Sequence, residues 1–487
     1  MSGLQQHVDA PLARGHRPSD GFAGAAGGVA CGDLVRVSVA LGDGQIQDAG
    51  FDAAGCAAAV AAGSAAVALV RGRPLLAAAR LSATEIEAEL GGLLPTTRHA
   101  AELAADALHR ALGAAARHAD PLRQRADRTL VAMSGGVDSA VAALLSARAG
   151  ADPVAVTLEL WADPDNDGER SCCSAQAVRG ARALAHRMGI PHLTLDLREE
   201  FRAGVVEPFV ADHAAGLTPN PCVRCNGHVR LDAMLDLADR VGASTLTTGH
   251  YARTTAEPGA DAPVDAPVLL TAARDGAKDQ SYMLAATSPV TLGRLRFPLG
   301  ALTKPEVRAL AAEAGLPVAG TRDSQDLCFL AGTDRAAFLA RHGGVRERPG
   351  DIVDQRGRVL GRHHGHHGFT VGQRKGLGVA APEPLYVLET DAPSNRVVAG
   401  PRPSLRRTRV HVRGAILHRD GAAVDRVKLR YRSRPLAARI DGPAPAGRHE
   451  ALELRLAEAV EGAAPGQTAC LMSGEVIVGH ATIAAAQ

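Results

Sequence analysis

Apolar and polar residues alternate in two neighbouring segments near the start of the chain, residues 34–41 (LVRVSVAL) and 44–52 (GQIQDAGFD). Alternation of period two predicts a pair of strands, and Gly42-Asp43-Gly44 between them predicts the hairpin turn. Alanine-rich helical patterns follow at 56–71 and 96–117, and AARHADPLRQRADR reads as a polar linker. From residue 129 the pattern changes to apolar runs alternating with helical segments: TLVAM then 138–149, PVAVTLEL then 174–188, HLTLDL then 199–214, and later STLTTGH. That order predicts a parallel sheet covered by helices. Beyond about residue 345 short strands separated by Gly and Pro dominate, as in DIVDQRGRVLG, PLYVLET, NRVVAG, VKLRYRS, LELRLAEAV and EVIVGHATI. Small β-rich modules or a barrel are expected there.

Composition adds three points. A chain of 487 residues has room for roughly two to four domains. No apolar run is long enough to span a bilayer, and the first residues lack the apolar core of a secretory signal, so a cytoplasmic location is expected. Eight cysteines, adjacent, in C-x-x-C or isolated, suit reactive or ligating thiols in a reducing compartment better than a disulfide framework. Charge is uneven: twelve Lys/Arg and two Asp between Pro401 and Arg439 give +10, which leaves −8 for the rest of a chain of net +2. A block of that kind suits a polyanion partner, or else forms a solvated arginine-rich face. Only four of the basic residues are lysines, which makes each retained lysine, Lys278 among them, mildly informative.

Candidate chemistry starts where the first strand of the parallel pattern ends, in Ala132-Met133-Ser134-Gly135-Gly136-Val137-Asp138-Ser139. Glycines let a polyphosphate approach the backbone, and the following helix offers free N–H groups to it. No G-x-x-x-x-G-K-[ST] string occurs, which excludes a Walker loop. The string SGGVDS resembles the loop of ATP pyrophosphatases, which implies cleavage of ATP between its α and β phosphates and adenylation of a substrate oxygen. TPNPCVRCN (218–226), TGHYAR (248–253), KDQSYML (278–284), DSQDLCFL (323–330) and TVGQRKGLG (370–378) follow in order. Together they resemble the tRNA-specific 2-thiouridylases that thiolate wobble uridine 34, from about Arg128 to the C-terminus.

That resemblance places Cys225 at the nucleophile position and Cys328 at the persulfide-bearing one. It implies nucleotide contacts at residues 132–139, Leu158 and Gly249, and tRNA contacts at Asn220, Pro221, Cys222, Lys278, Asp279, Gln280, Arg430 and Tyr431. ATP with Mg2+ is the implied cosubstrate, and a cysteine desulfurase or sulfur relay protein the implied donor. Many members carry Asp where this chain has Cys222. Two chemistries stay open: a persulfide relay, or a [4Fe–4S] cluster held by Cys222, Cys225 and Cys328 with one open iron. Zinc with His228 as fourth ligand is a third arrangement. Cys172-Cys173 reads as a loop near the nucleotide without catalytic duty. His363, His364, His366 and His367 are expected to face RNA or solvent, with metal binding as the alternative.

ACGDLVRVSV, FDAAGCAAAVAAGS and LPTTRHAAELAADAL resemble the IscU/NifU-type iron–sulfur scaffold over residues 22–118. The resemblance implies a metal or cluster site at Cys31, Asp33, Cys56 and His99, but Ala100 stands where the third cysteine of the family belongs. A sulfur carrier or a docking module for a desulfurase is therefore as well supported as cluster assembly.

The expected architecture is α/β multidomain. It comprises a scaffold-like α+β domain (1–118), a linker (119–127), a doubly wound ATP pyrophosphatase domain (128–340), a central tRNA-binding module (341–402) and a C-terminal β-barrel (403–487). The expected function is ATP-dependent 2-thiolation of tRNA uridine. The alternative is an iron–sulfur or sulfur carrier whose nucleotide domain binds RNA.

Overall fold

The computed structural model describes residues 3–27, 32–163, 174–255, 267–321, 327–330 and 332–486. Cys31, Cys172, Cys173 and residues 323–326 of the DSQDLCFL motif lie outside the described residues. The chain divides into two compact units, one formed by 1–198, 233–250 and 294–329, the other by 199–232, 251–293 and 330–487.

In the first unit, Phe22–Gly27, Leu34–Gly42 and Gln45–Ala54 form an antiparallel sheet in sequence order. The expected hairpin is present, with Asp43 and Gly44 both at positive φ (52° and 72°), the twist a two-residue turn requires. Val35, Val37 and Val39 alternate into the core. They meet Ala57–Val70 and His99–His118, whose alanines let helices approach a sheet closely. A Cβ on Gly24 would stand 2.2 Å from the Ala107 carbonyl oxygen, so this strand tolerates nothing larger.

The same unit holds the parallel sheet, in the spatial order Leu295–Arg296, Ala243–Thr247, Arg125–Ala132, Asp152–Glu159, His192–Asp196. Its strand Arg125–Ala132 begins inside the segment expected to be a linker. The order reverses between Arg125–Ala132 and Ala243–Thr247, and the carboxyl ends of these two strands lead into Ser134–Ser139 and Thr248-Gly249-His250. A crevice outside such a switch point is where doubly wound sheets bind ligands.

In the second unit, the helix expected over 199–214 is broken. Arg198–Phe201 gives way to a π-turn at Arg202–Val206 before Glu207–Ala214 resumes. Pro208 has no N–H for the Gly204 carbonyl four residues back, and Arg224 Nε donates to that oxygen instead, at 2.8 Å. The break thereby ties the C-x-x-C segment to its neighbour. Val359–His363, Gly350–Val353, Arg396–Pro401 and Leu385–Asp391 form a four-stranded sheet around Ile352, Val387, Val397 and Ala399. Six strands from Arg406–Leu417 to Val476–Ala486 close into a barrel, since the last pairs back onto the first. Val410, Val412, Leu454, Leu471 and Ile483 fill it. The α/β multidomain class with a C-terminal barrel is thus observed.

Candidate functional site

The phosphate-loop candidate closes on itself. Ser139 Oγ donates to the Gly136 carbonyl at 3.0 Å and accepts from the Ser134 amide at 3.1 Å. Gly135 takes φ 77° with the Ala177 carbonyl oxygen 3.2 Å from where a Cβ would lie. Gly136 stands at the N-cap of the helix Val137–Arg148 and, having no side chain, makes no cap hydrogen bond to the first-turn N–H groups. Gly249 packs on the loop so closely that a Cβ would stand 2.8 Å from Asp138 C and from Ser139 N. Leu158, at the end of the neighbouring strand, is buried. Residues 132–139, Leu158 and Gly249 therefore belong to one unit, and the loop and Gly249 are in contact.

Sequence reasoning passed over Lys304. Thr303 and Glu306 form a capping box at the start of Lys304–Glu313, which fixes the lysine at the first helical position. Its Nζ lies 2.7 and 2.8 Å from the two oxygens of Asp138. The scarcity of lysine was the available signal, and it applied to Lys304 as much as to Lys278.

The second unit holds the C-x-x-C segment. Asn220 Oδ1 accepts from the amides of Cys222 (3.1 Å) and Val223 (3.4 Å), and Pro221 opens the short helix Pro221–Cys225. A π-turn follows at Asn226–Arg230. Cys225 is buried; Cys222 is partly so. Burial pushes the Cys222 thiol up, and the Arg230 guanidinium only partly opposes this. Cys328 is half-buried in the first unit, so the three candidate thiols are divided between the units.

Around this segment the RNA candidates separate into inward and outward groups. Asp279 is buried, accepting from the amides of Ala273 (3.1 Å) and Ser281 (3.2 Å), from Ser281 Oγ (2.9 Å) and from Lys428 Nζ (3.3 Å). Gln280 is bonded in both directions to the Tyr251 backbone. Lys278 is half-exposed beside them. Arg430 Nη2 donates to the Gly462 carbonyl at 2.9 Å. Tyr431 stacks obliquely on Tyr282, with ring centroids 6.2 Å apart, under the Arg432 guanidinium. Burial pushes both phenols up.

Part of the basic block is neutralised by residues outside it. Arg402, Arg409 and Arg434 pair with Glu461, Glu453 and Glu458 of the strand Gly447–Glu461 at 2.7 to 2.9 Å. Of the four histidines, His363 and His367 are buried and His366 bonds Asn395 and the Ala214 carbonyl; His364 alone of them is largely exposed. The outward role expected of the whole group thus fits one member.

In the scaffold-like fold, ligand atoms of Asp33, Cys56 and His99 all lie within 4.8 Å of one another. Asp33 Oδ1 accepts from the Cys56 amide (2.8 Å), and its Oδ2 from the Cys56 thiol (3.2 Å) and His99 Nε2 (2.9 Å). Burial alone would raise the Asp33 carboxyl, but these bonds outweigh it and hold it below the usual range. Burial and the neighbouring carboxylate push the Cys56 thiol up. Carboxylate, thiol and imidazole make a donor set that fits zinc or a labile cluster, since a cation would replace the protons that now join them. Ala100 is fully buried and offers no fourth ligand. Cys56, Cys222, Cys225, Cys328 and Cys470 are not joined in disulfides.

A switch-point phosphate loop, a capped C-x-x-C helix and a barrel, joined to a scaffold-like fold with its own donor group, define a fused nucleotide-using enzyme of the HUP class. Residues 2–119 match the NifU-like N terminal domain and 127–332 the tRNA methyl transferase HUP domain. Residues 336–401 match the tRNA methyl transferase PRC-barrel domain and 418–483 the aminomethyltransferase beta-barrel domain. The chain is 44% identical to the bifunctional protein NifU/MnmA of Rubrobacter xylanophilus over 98% of its own length and 97% of the relative's. The tRNA-specific 2-thiouridylases MnmA of Zymomonas mobilis (41% identity, 73% of this chain, 92% of theirs) and Xanthobacter autotrophicus (45%, 71%, 88%) match the part behind the scaffold-like fold. The chain belongs to the family of bifunctional NifU/MnmA proteins.

Proposed function

We infer that the chain is an ATP-dependent tRNA-uridine 2-sulfurtransferase acting at wobble uridine 34, with a scaffold-like domain that serves its sulfur supply. The observation carrying the reading is the self-closed Ser134–Ser139 loop, with a helix starting from it at the N-cap Gly136 and Gly249 packed on it. Such a loop suits a polyphosphate, and the free thiols supply what methyl transfer would not need.

The uridine O2 attacks the α-phosphorus of ATP, the bond to the β-phosphate breaks, and pyrophosphate leaves as N3 loses its proton. Cys328 carries a persulfide delivered by a cysteine desulfurase or a relay protein. The Cys225 thiolate attacks its inner sulfur, forming a Cys225–Cys328 disulfide and releasing hydrosulfide. Hydrosulfide adds at C2, AMP leaves with the oxygen, and the sulfur-bound proton ends on N3. A dithiol reductant returns both cysteines to thiols.

Residues 132–139, Leu158 and Gly249 would hold ATP with Mg2+. Lys278, Arg430 and Tyr431 would meet RNA with Asn220, Pro221 and Cys222 near the anticodon, while the inward bonds of Asp279 and Gln280 hold the Lys278 segment in place. A [4Fe–4S] cluster would use Cys222, Cys225 and Cys328, and its open iron would supply sulfide. The raised Cys222 thiol speaks for the relay. Asp33, Cys56 and His99, with Cys31, would hold zinc or a labile cluster. The free thiols suit the cytoplasm, and no helix among the described residues is long and apolar enough to cross a membrane.

Mass spectrometry of tRNA from cells lacking the protein tests the reading. Loss of 2-thiouridine at position 34, restored by the intact gene and not by an Asp138→Ala copy, is expected; unchanged 2-thiouridine would overturn it.

A further inference from the structure

One helix, His99–His118, carries His99 of the donor group at its start and, farther along, the buried Asp106 and the half-buried Arg110. Asp106 accepts from Arg179 Nε at 2.6 Å and from Arg182 Nη2 at 2.5 Å, with Asp106 and Arg182 both about 5% exposed or less. Those arginines stand on Ala175–Arg187, and the same helix backs the phosphate loop, since Ala177 and Ala181 are the nearest atoms to a Cβ on Gly135. One turn on from Asp106, Arg110 grips the buried Glu159 at 2.5 and 3.1 Å and donates to the Ala25 carbonyl at 2.8 Å. Glu159 directly follows Leu158. A further turn on, Gly113 presses on the edge strand His192–Asp196, where a Cβ would stand 1.9 Å from the Thr194 carbonyl oxygen.

Buried ion pairs add little net stability, because desolvation cancels most of the attraction. Their effect is on geometry: a charge out of water is held where its partner stands. Both partners here belong to elements that end at the nucleotide site, the helix behind Gly135 and the strand that ends at Glu159. A tethered carrier, in contrast, needs a surface that it can leave, which a desolvated ion pair, a second pair on the buried Glu159 and a glycine contact oppose.

We propose that the scaffold-like domain is a fixed brace of the ATP site, in which Asp106 and Arg110 are positioning residues for the nucleotide. The proposal rests on the assignment of ATP to Ser134–Ser139. Sulfur then leaves this domain by transfer to another thiol and not by movement of the domain itself.

The test uses the full chain. Asp106→Asn keeps side-chain size while removing charge, Arg110→Gln removes the guanidinium, and the exchange Arg110→Glu with Glu159→Arg restores a pair. Affinity for a non-hydrolysable ATP analogue is expected to fall about tenfold in each single variant, with KM for ATP rising more than kcat falls. tRNA affinity should stay within about twofold, and the exchange should recover most of the loss. In the unmodified chain, the analogue should slow amide hydrogen exchange in residues 104–114, a readout that survives even if a variant misfolds. Folded variants with parental affinity, or exchange in 104–114 indifferent to the analogue, would overturn the brace. A parental chain that binds no analogue would instead overturn the ATP assignment, and the brace with it.

Discussion

Lys304 Nζ lies within 2.8 Å of both carboxylate oxygens of Asp138, so a buried cation is held by a residue of the Ser134–Ser139 loop. The pair comes from positions 166 residues apart, and the capping box of Thr303 and Glu306 fixes where the ammonium stands. A cation so preorganised acts on charge that develops on phosphate oxygens without the cost of reorganising solvent. Lys304→Met is expected to lower pyrophosphate release by about a hundredfold while leaving tRNA affinity unchanged. Release at the parental rate would show that the lysine only neutralises Asp138.

Sulfur transfer should separate from adenylation. Cys225→Ser and Cys328→Ser are each expected to abolish thiolation while pyrophosphate is still released with tRNA present. Cys222 behaves differently because burial raises its thiol and leaves little thiolate at neutral pH. In a Cys56→Ala background, which takes a thiolate from any metal site of the scaffold-like domain, anaerobic reconstitution should leave the protein colourless, and Cys222→Ala should keep thiolation from a persulfide donor. About four irons per chain, lost on Cys222→Ala, would replace the relay with a cluster.

The strings proposed to carry chemistry stood out because each is local: Gly135, Gly136 and Ser139, which shape the Ser134–Ser139 loop, lie within a few residues of one another. The helix-covered parallel sheet was legible too, since strands alternating with helices predict it, but the place where its order reverses was not. What stayed hidden depends on pairing across long stretches of chain. A window of charge over 401–439 cannot show that Glu453, Glu458 and Glu461 lie along the strand that pairs with it. Nor does sequence show that Asp106 and Arg110, which look like the polar face of an alanine-rich helix, pair with the buried Arg182 and Glu159. The π-turn at Arg202–Val206 had a visible cause in Pro208, but its acceptor-satisfying partner Arg224 did not.

That charge compensation sets how tRNA affinity should respond to salt. Arg430→Ala should lower the slope of log affinity against log salt by about 1, the loss of one phosphate contact. Arg434→Ala should change it less, because Arg434 is already bonded to Glu458 at 2.8 Å. Equal slopes for Arg430→Ala and the parent would make the block a solvated face.

Acid should destabilise the second unit through its buried histidines. Burial, with help from Arg335 and His367, holds His213 down to about 3; burial, with His418 and His228, holds His480 down to about 4. Each is neutral in the folded chain and takes a proton near 6.5 once unfolded, so the unfolded state binds more protons below that pH. Stability is therefore complete above about 6.5 and falls as the pH drops, by about 2 kcal/mol per group at pH 5. His480 Nδ1 is buried without a hydrogen-bond partner, so an apolar replacement leaves nothing unsatisfied. His480→Leu should narrow the gap between melting temperatures at pH 7.5 and pH 5 relative to the parent. A gap as wide as the parent's would mean that this imidazole is not held neutral by burial.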